Sequence, residues 1–581
     1  MKRFLAIVIL ALMLVSVVSC GKTSNTPTLT YLYNTSEGHK AIGEYLQAAL
    51  AKAGITMNLE NQEWNTFLNT RKDGKYSIAR NGWLADYNDP ICFLDMWTSN
   101  SGNNDVQFGK GAHAELKMYD LDLTKWGYDV KVEDGTWAET YDVLIATIKS
   151  CTDAEKRYEM MHLAEDILMD TGCIVPLYFY TDLYMVSEDL EGFYSNPLGY
   201  KYFMYSTMDG ANYINVCLSS EPDTLDPALN SAVDGATMAA HLFSGLAKWA
   251  EDEEGNLVIK ADMAEELVEG VVNADGTVTY TYTLKEGLKW NNGDALTAEH
   301  VVASWKRAAS TELGADYGYM FEVVKGYGEE LAVEATDDRT IVVTLANAIS
   351  YWDELLAFPT YYPVHPSVYD NEAWATEPAT YINNGPYNIT AWEHDSVITL
   401  EKNPNYHDAE NVTMDKINFY LSDDANNMLA NFKNGSWVLI DDVPTNEIKS
   451  LKTEYPNEFK IAGQIGTYYV CWNVNENILP KDSKLEGVEA EKAQAEIRKA
   501  IGLLFDRNYI VESVAQGGQL PASSFVAMGM TNPDGSEFYK TANGGASKNG
   551  YDGYYDVSKE AHQANVDKAL EILGKYYDLK K

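Results

Sequence analysis

The order of hydrophobic and polar positions near the start of the chain predicts alternating strands and helices. Residues 28–33 alternate with the two-residue period of a strand, and residues 40–53 have the apolar spacing of an amphipathic helix. Residues 55–59 predict the next strand. Because a strand, a helix and a second strand in this order form a parallel unit, we expect an α/β lobe with a largely parallel sheet.

The rest of the chain alternates between the same two types of element. One predicted helix has Asp153 near its N-cap, and another follows Thr297, a favourable N-cap residue. The predicted helices are 154–169, 298–307, 493–505 and 559–576, and the predicted strands are 174–180, 278–284, 340–345 and 397–400. No short repeat or low-complexity block interrupts the pattern.

The first residues have the composition of an export signal. A short cationic start precedes an apolar run at 4–18, which is too short for a permanent span because a helix needs about 20 apolar residues to cross a membrane. Residues 17–20 resemble the lipobox of bacterial lipoproteins, which implies a signal peptide at 1–19 and a lipid on Cys20. Residues 20–28 would then be a polar tether. An ordinary secretory signal with a chance cysteine is the alternative.

Length and charge narrow the class of protein. A chain of 581 residues is too long for one hydrophobic core, so two or three domains are expected. The sequence has 44 Lys and Arg against 86 Asp and Glu, a formal net charge of −42. This charge argues against a nucleic-acid partner, because it would repel a phosphate backbone.

Motifs of the common enzyme classes are missing from the sequence. It has no Gly-x-Ser-x-Gly elbow, no His-Glu-x-x-His and no phosphate loop, and its nine histidines are dispersed. We therefore predict neither catalysis nor a cofactor nor a metal site. The scattered cysteines indicate no disulfide framework; at most, Cys151 and Cys173 pair, since they flank one predicted helical segment.

Five segments of the sequence together resemble one family. They are residues 31–37, 82–90, 220–227, 282–307 and 383–387, with sequences such as GWLADYNDP at 82–90 and SEPDTLDP at 220–227. They are similar to the extracytoplasmic oligopeptide-binding proteins of ABC importers, the family 5 solute-binding proteins. The resemblance implies an α/β fold like that of periplasmic binding proteins, with two lobes, a hinge and the three domains of the large class.

These segments follow a different order from the family's. Residues 29–208 resemble its C-terminal portion and residues 212–581 its N-terminal portion, which implies a circular permutant whose ends lie close together. A rearranged gene or an assembly artefact is the alternative. The resemblance implies three domains: a ligand-binding lobe of 29–190 and 471–581, a first lobe of 191–250 and 382–470, and an additional domain of that first lobe at 251–381.

A receptor for many peptides has to recognise the groups that all peptides share: a backbone, an amine and a carboxylate. Strand addition suits the backbone, and a carboxylate in a poorly hydrated cleft suits the amine. The resemblance assigns the amine to Asp86 and backbone pairing to Gly82, Trp83 and Leu84, with Trp83 as an apolar wall. Alternatively, Asp86 only caps a turn.

The resemblance implies further peptide-binding residues. The backbone of Val233 would continue the strand ladder from the opposing lobe, Tyr317 would line the ligand, and Tyr469 would lie in the hinge strand. Arg71 and Arg80 would face the carboxylate, which suits an arginine fork. Alternatively, the aromatic residues pack in the core, and Arg80 pairs with an aspartate of the neighbouring loop.

The resemblance predicts a monomeric lipoprotein on the outer face of the bacterial cytoplasmic membrane. It would capture oligopeptides by lobe closure and deliver them to the permease subunits of an ABC importer. Three alternatives stay open: another solute on the same scaffold, such as a dipeptide, a metal chelate or an oligosaccharide; an exported hydrolase; and a sensor or peptide chaperone that no longer docks on an importer.

Overall fold

The computed structural model describes residues 25–252, 256–371 and 373–579. The predicted signal peptide, the predicted lipid site at Cys20 and the first part of the tether lie outside the described residues. None of the described helices is long and apolar enough to cross a membrane.

The strands run through both halves of the chain. In chain order they are β1 Thr28–Asn34, β2 Thr56–Gln62, β3 Ile78–Leu84, β4 Tyr119–Asp122, β5 Lys131–Gly135, β6 Ile174–Val186 and β7 Tyr194–Ser195. They continue with β8 Lys201–Tyr202, β9 Tyr213–Leu218, β10 Ala247–Glu251, β11 Leu257–Ala261, β12 Val271–Val272, β13 Val278–Thr283 and β14 Val333–Ala335. The remaining strands are β15 Thr340–Leu345, β16 Tyr387–Glu393, β17 Val397–Lys402, β18 Lys416–Leu421, β19 Leu439–Ile440, β20 Phe459–Trp472 and β21 Leu520–Pro521.

The α-helices cover the sheets. They are α1 Glu37–Lys52, α2 Trp64–Lys72, α3 Val143–Ser150, α4 Ala154–Asp170, α5 Val233–Leu242, α6 Ala298–Ala308 and α7 Trp352–Leu356. They continue with α8 Ala425–Lys433, α9 Ile448–Glu454, α10 Gly487–Leu503, α11 Arg507–Tyr509, α12 Phe538–Thr541, α13 Gly545–Asn549 and α14 His562–Leu573. Both predicted N-caps are confirmed: Asp153 accepts a hydrogen bond from the Lys156 N–H, and Thr297 forms a capping box with His300.

One sheet of 11 strands extends through both lobes, in the order β16-β17-β18-β9-β19-β6-β20-β3-β1-β2, with β21 on β6. The strands β1, β2 and β3 are parallel, and so are β18, β9 and β19. Between these two groups, β6 and β20 run antiparallel to their neighbours. The predicted parallel sheet is therefore found in the lobe of β1, β2 and β3. The other lobe is mixed, because β16 and β17 pair antiparallel beside β18, and the two strands that join the lobes are antiparallel as well.

The two joining strands are long because each contributes to both lobes. The predicted strand at 174–180 continues to Val186, and its residues 180–183 are only half-buried. Its hydrophobic pattern therefore stops before the strand itself ends. The pairing of β20 with β6 is interrupted between Gly463 and Thr467. Within this interruption, the Ile465 N–H donates to the Pro197 carbonyl at 3.0 Å and the Ile465 carbonyl accepts from Ala85 N–H at 2.8 Å, so the two lobes meet at Ile465.

Residues 271–345 contain a separate antiparallel sheet, ordered β12-β13-β15-β14. Its helix α6 is buried on one side, where the Trp305 indole donates to the Tyr361 carbonyl at 2.8 Å.

The possible pairing of Cys151 with Cys173 is wrong: both are buried free thiols. Two residues at the ends of one helical segment need not be neighbours, because the helix between them holds them apart.

Candidate functional site

A cavity of about 410 Å³ lies between the two lobes. Its walls include residues that follow the carboxyl ends of parallel strands from both sides: β1 and β3 in one lobe, and β9, β18 and β19 in the other. Ligands of open α/β sheets bind at such strand ends, where the backbone leaves the sheet. The cavity therefore lies where both lobes can contact one ligand.

One edge of β3 is open beside this cavity. The strand pairs with β20 along all of Ile78–Leu84, whereas β1 pairs only with Ile78 and Ala79. Residues 80–84 thus have no strand partner on their second edge among the described strands, and all of them line the cavity. An unpaired strand edge is a template for the backbone of an extended ligand.

The residues at this edge are tightly packed. A Cβ atom on Gly82 would lie 2.2 Å from the Tyr180 hydroxyl oxygen, so glycine is required for the close approach of Tyr180. The Trp83 indole donates to the Cys92 carbonyl at 2.8 Å, and its ring centroid lies 6.1 Å from that of Tyr317. The edge is therefore held rigidly.

Asp86 is a buried carboxyl group with one unused oxygen. Its residue is 7% exposed; Oδ1 accepts from the Tyr317 hydroxyl at 3.0 Å, and Oδ2 has no hydrogen-bond partner in the described structure. No described ion pair includes it. Burial raises the pKa of Asp86 well above its ordinary value, the Tyr317 hydrogen bond opposes this rise, and the charge of Asp95 adds to it. A cationic ligand group would stabilise the ionised form of this carboxyl group, because no cation of the described chain is paired with it.

The alternative role of Asp86 as a turn cap belongs instead to Asp89. The Asp89 carboxylate accepts from the Ile91 N–H at 3.0 Å and binds Arg157 through two hydrogen bonds of 2.7 and 2.9 Å. Asp86 does not cap this turn, and its side chain lines the cavity.

Arg80 is the cationic counterpart of Asp86 in the cavity. Its guanidinium carbon lies 5.4 Å from the Tyr468 ring centroid and 5.9 Å from that of Trp64. None of the ion pairs in the described chain includes Arg80, so the alternative pairing with Asp86 or Asp89 is not found. Its Nε also has no hydrogen-bond partner in the described structure. A half-buried guanidinium without a carboxylate favours binding of an anion.

Arg71 differs from Arg80, although both line the cavity. Its Nε lies 2.6 Å from Oδ2 of Asp105, and the same oxygen accepts from the Asn81 amide at 3.0 Å. The side chains of Arg71 and Asp105 are only 10% and 6% exposed. The charge of Arg71 is therefore already matched inside the protein.

The remaining predicted site residues separate into two groups. Val233 and Tyr317 line the cavity. Val233 is the first residue of α5 and directly follows Ala232, which is extended, so the pairing of its backbone with a ligand stays a prediction. Tyr469 lies outside the cavity lining: it is fully buried, and its ring packs against Trp97 and Phe525 at 6.2 and 5.1 Å. Its inward position on β20 makes it a core residue.

Sequence reasoning missed a charged group on the far wall of the cavity. Lys201 is buried, with its Nζ 3.1 Å from Asp182 and 2.5 Å from Asp441. Burial raises the pKa of Asp441 to about 6 and that of Asp442 to about 7. Both aspartates directly follow β19, which at two residues is too short to be recognised by its periodicity. In the described ranges, no three His, Cys, Asp or Glu side chains are grouped to hold a metal ion.

Comparison with known proteins identifies the family. The family model described as bacterial extracellular solute-binding proteins, family 5 Middle, matches residues 16–105 and 259–575, which is more than half of the chain. The chain belongs to this family. The predicted family is thereby confirmed, and with it the extracytoplasmic class of this solute-binding protein.

The family 5 protein has curated relatives in Bacillus subtilis. The dipeptide-binding protein DppE is 32% identical over 341 residues, which are 57% of this chain and 58% of DppE. The oligopeptide-binding protein OppA is 32% identical over 336 residues, which are 55% of this chain and 57% of OppA. The chain thus spans somewhat more than half the length of these relatives.

Two solved structures share the fold of this solute-binding protein. Haemophilus influenzae OppA in complex with RPPGFSPFR has a TM-score of 0.51 at 23% identity and covers 64% of this chain and 67% of its own. The Escherichia coli murein tripeptide binding protein MppA has a TM-score of 0.51 at 21% identity, and the match covers 63% of this chain and 67% of MppA. The predicted α/β fold of the periplasmic-binding-protein type is confirmed.

Proposed function

We propose that this protein captures peptides outside the cell and delivers them to an ABC importer, without catalysing a reaction. One observation carries the proposal: a single cavity contains the carboxyl group of Asp86 without a cation and the guanidinium of Arg80 without a carboxylate. They lie on either side of the open strand edge at 82–84. An extended peptide complements all three features with its amine, its carboxylate and its backbone.

Lobe closure is the proposed mechanism. Residues from both lobes line the cavity, and the Asp86 loop is tied through Ala85 to Ile465, where the two joining strands lose their regular pairing. A small rotation at this interruption opens the cavity without breaking either sheet half. The importer would distinguish the closed form by the new relative position of the two lobe surfaces. Water in the cavity would adapt to different ligand side chains.

The proposal includes that the protein is a monomer anchored to the membrane by a lipid. A lipid on Cys20 and a polar tether at 20–28 would keep the protein at the outer face of the cytoplasmic membrane. The family, which consists of extracellular solute-binding proteins, agrees with this location. The permease subunits of the importer would be its protein partners.

We also propose that the chain is a circular permutant of its family. The Asp578 N–H donates to the Asn25 side chain at 2.7 Å, so the two ends of the described chain are neighbours, as a permutation requires. The ligand-binding lobe would combine 29–190 with 471–581, the first lobe 191–250 with 382–470, and the additional domain would be 251–381. A collinear comparison aligns only one of two exchanged segments, which agrees with the partial coverage of the relatives.

The permutation can be tested at the junction between the two exchanged segments. Chymotrypsin cleaves after tyrosine, so digestion of the native protein should release a peptide covering residues 206–213, which crosses from one segment into the other. Mass spectrometry of protein purified from its own cells measures this directly. Detection of peptides from both segments without any peptide across 206–212 would contradict the permuted order.

The binding proposal can be tested with the two charged ends of the ligand. We expect the protein without its first 20 residues to bind peptides of three to six residues in titration calorimetry. N-acetylation or C-amidation of the same peptide should each weaken binding by about 2–5 kcal/mol, because each leaves a buried charge unpaired. A free amino acid mixture and an oligosaccharide serve as controls. Equal affinity for blocked and unblocked peptides would contradict the proposal.

A further inference from the structure

The segment 316–322 of the additional domain contacts the opposite lobe around Asp86. It comprises Asp316, Tyr317 and the greater part of a short 3₁₀-helix, Gly318–Val323. Within its own domain the segment is fixed by Tyr361, whose ring stacks on Phe321 at 4.2 Å and whose hydroxyl donates to the Met320 carbonyl at 3.0 Å. Its other side faces the lobe that contains Asp86.

One end of this segment is bound by Lys72, the last residue of α2. The Lys72 ammonium forms an ion pair with Asp316 and donates to the Ser231 hydroxyl at 2.8 Å. It thereby joins the ligand-binding lobe, the first lobe and the additional domain at one point. The backbones are in close contact here, since a Cβ on Gly102 would lie 2.4 Å from the Asp316 Cα.

The other end is bound by Lys149 of α3. Its ammonium lies 3.0 Å from Asp95 in its own lobe and 2.8 Å from Glu322 across the interface, and 5.5 Å from the Tyr319 ring centroid. The Lys149 side chain is 10% exposed. Burial alone lowers the pKa of Lys149, but the carboxylates of Asp95 and Glu322 outweigh it and raise the pKa above its ordinary value. The ammonium is therefore charged whenever the lobes are closed.

Between these two ion pairs, the Tyr317 hydroxyl donates to Asp86 at 3.0 Å. We infer that Lys72 and Lys149 are positioning residues that hold Tyr317 against Asp86, so that the amine of a bound peptide is recognised only when both lobes are closed. The inference rests on the proposed function and adds to it two residues that do not themselves bind the amine.

The physical reason is the environment of Asp86. Its carboxyl group is buried, and the Tyr317 hydrogen bond stabilises the ionised form, which is the form that attracts an ammonium group. A hydrogen bond of this kind needs a donor held near 3 Å, because it weakens steeply with distance and misalignment. Tyr317 comes from the other lobe, so its position depends on whatever holds the two lobes in register.

The test compares how strongly each variant depends on the peptide amine. The probes are one tetrapeptide with a free N-terminus and the same tetrapeptide N-acetylated. Calorimetry gives the ratio of their dissociation constants, that of the acetylated peptide divided by that of the free peptide. We expect Lys72→Met and Lys149→Met each to reduce this ratio by about tenfold. Glu322→Gln and Asp316→Asn change the partners from the other side and should reduce it as well, which guards against a lysine variant that fails to fold.

The matched control is Lys75→Met. Lys75 lies three residues from Lys72, and its ion pair with Asp73, at 2.7 Å, stays within one lobe and is largely exposed. This variant should keep the wild-type ratio. In a Tyr317→Phe background, Lys72→Met should have no further effect on the ratio, because a positioning residue acts only through the residue that it positions.

Two results would overturn the inference. If Lys72→Met and Lys149→Met weaken binding of both peptides by the same factor, the lysines merely hold the lobes together. If neither affinity changes, the lysines do not position Tyr317. Both results leave the proposed function intact, because the wild-type protein still prefers the free amine. If the wild-type protein itself binds both peptides equally or not at all, the proposed function fails and the inference fails with it.

Discussion

Asp86→Asn is expected to weaken binding of peptides with a free amine by about 2–5 kcal/mol, roughly 30-fold or more, as measured by calorimetry. The asparagine keeps the shape of the side chain and an oxygen that accepts from Tyr317, and it loses only the charge that pairs with the ammonium group. N-acetylated peptides should lose no affinity for the variant, because they have no ammonium group that could pair with the Asp86 carboxylate. The control is Asp129→Asn, which removes an exposed carboxylate from the same lobe outside the cavity.

The same residue predicts a pH dependence. Because burial holds the pKa of Asp86 in the empty closed site above its ordinary value, this carboxyl loses its charge as the pH falls, and the ammonium group then has no partner. Affinity should therefore fall as the pH is lowered through this raised pKa, by up to about tenfold per pH unit, and level off above it. The ionisable groups that interact with Asp86 are Asp95, Cys92, Tyr200, Tyr317 and Tyr319. An Asp86→Asn variant with the same pH profile as wild type would rule out the assigned role.

The two cavity arginines should respond to mutation in opposite ways. Arg71→Met leaves the buried carboxylate of Asp105 without its ion pair, so we expect the free energy of unfolding to fall by about 3–5 kcal/mol. Arg80→Met leaves no charge unpaired, and removal of a half-buried guanidinium offsets the loss of its contacts with two aromatic rings. Its free energy of unfolding should change by less than about 1 kcal/mol. Denaturant unfolding of the ligand-free variants measures both values.

The effects of the two substitutions on ligand binding should have the opposite order to their effects on the free energy of unfolding. Arg80→Met is expected to lose the preference for a free peptide carboxylate over an amide, whereas a refolded Arg71→Met protein should retain it. The comparison is internally controlled, since both substitutions replace an arginine of the same cavity by the same residue. A carboxylate preference that depends on Arg71 rather than Arg80 would show that the ligand displaces Asp105 from its ion pair.

Local patterns in the sequence were enough to predict most secondary structure. The strand Thr340–Leu345 and the helix beginning at Ala154 appear as predicted, because their hydrophobic periods reflect one buried face. The helix predicted at 493–505 begins earlier, at Gly487, since its first turns are polar. The strand predicted at 174–180 extends to Val186, because the part that passes between the lobes has no single buried face.

The sequence by itself determined the family, the alternation of strands and helices, and the loop that contains Asp86, since each depends on residues close together in the chain. Only the tertiary structure decided which charges are already matched. Tyr317 is 231 positions from Asp86, and no local pattern links them. Likewise, Arg71 is paired with Asp105 whereas Arg80 has no described ion pair, a difference that arises from distances in space. Charge pairing and desolvation depend on packing, so the groups left for a ligand become visible only once the chain is folded.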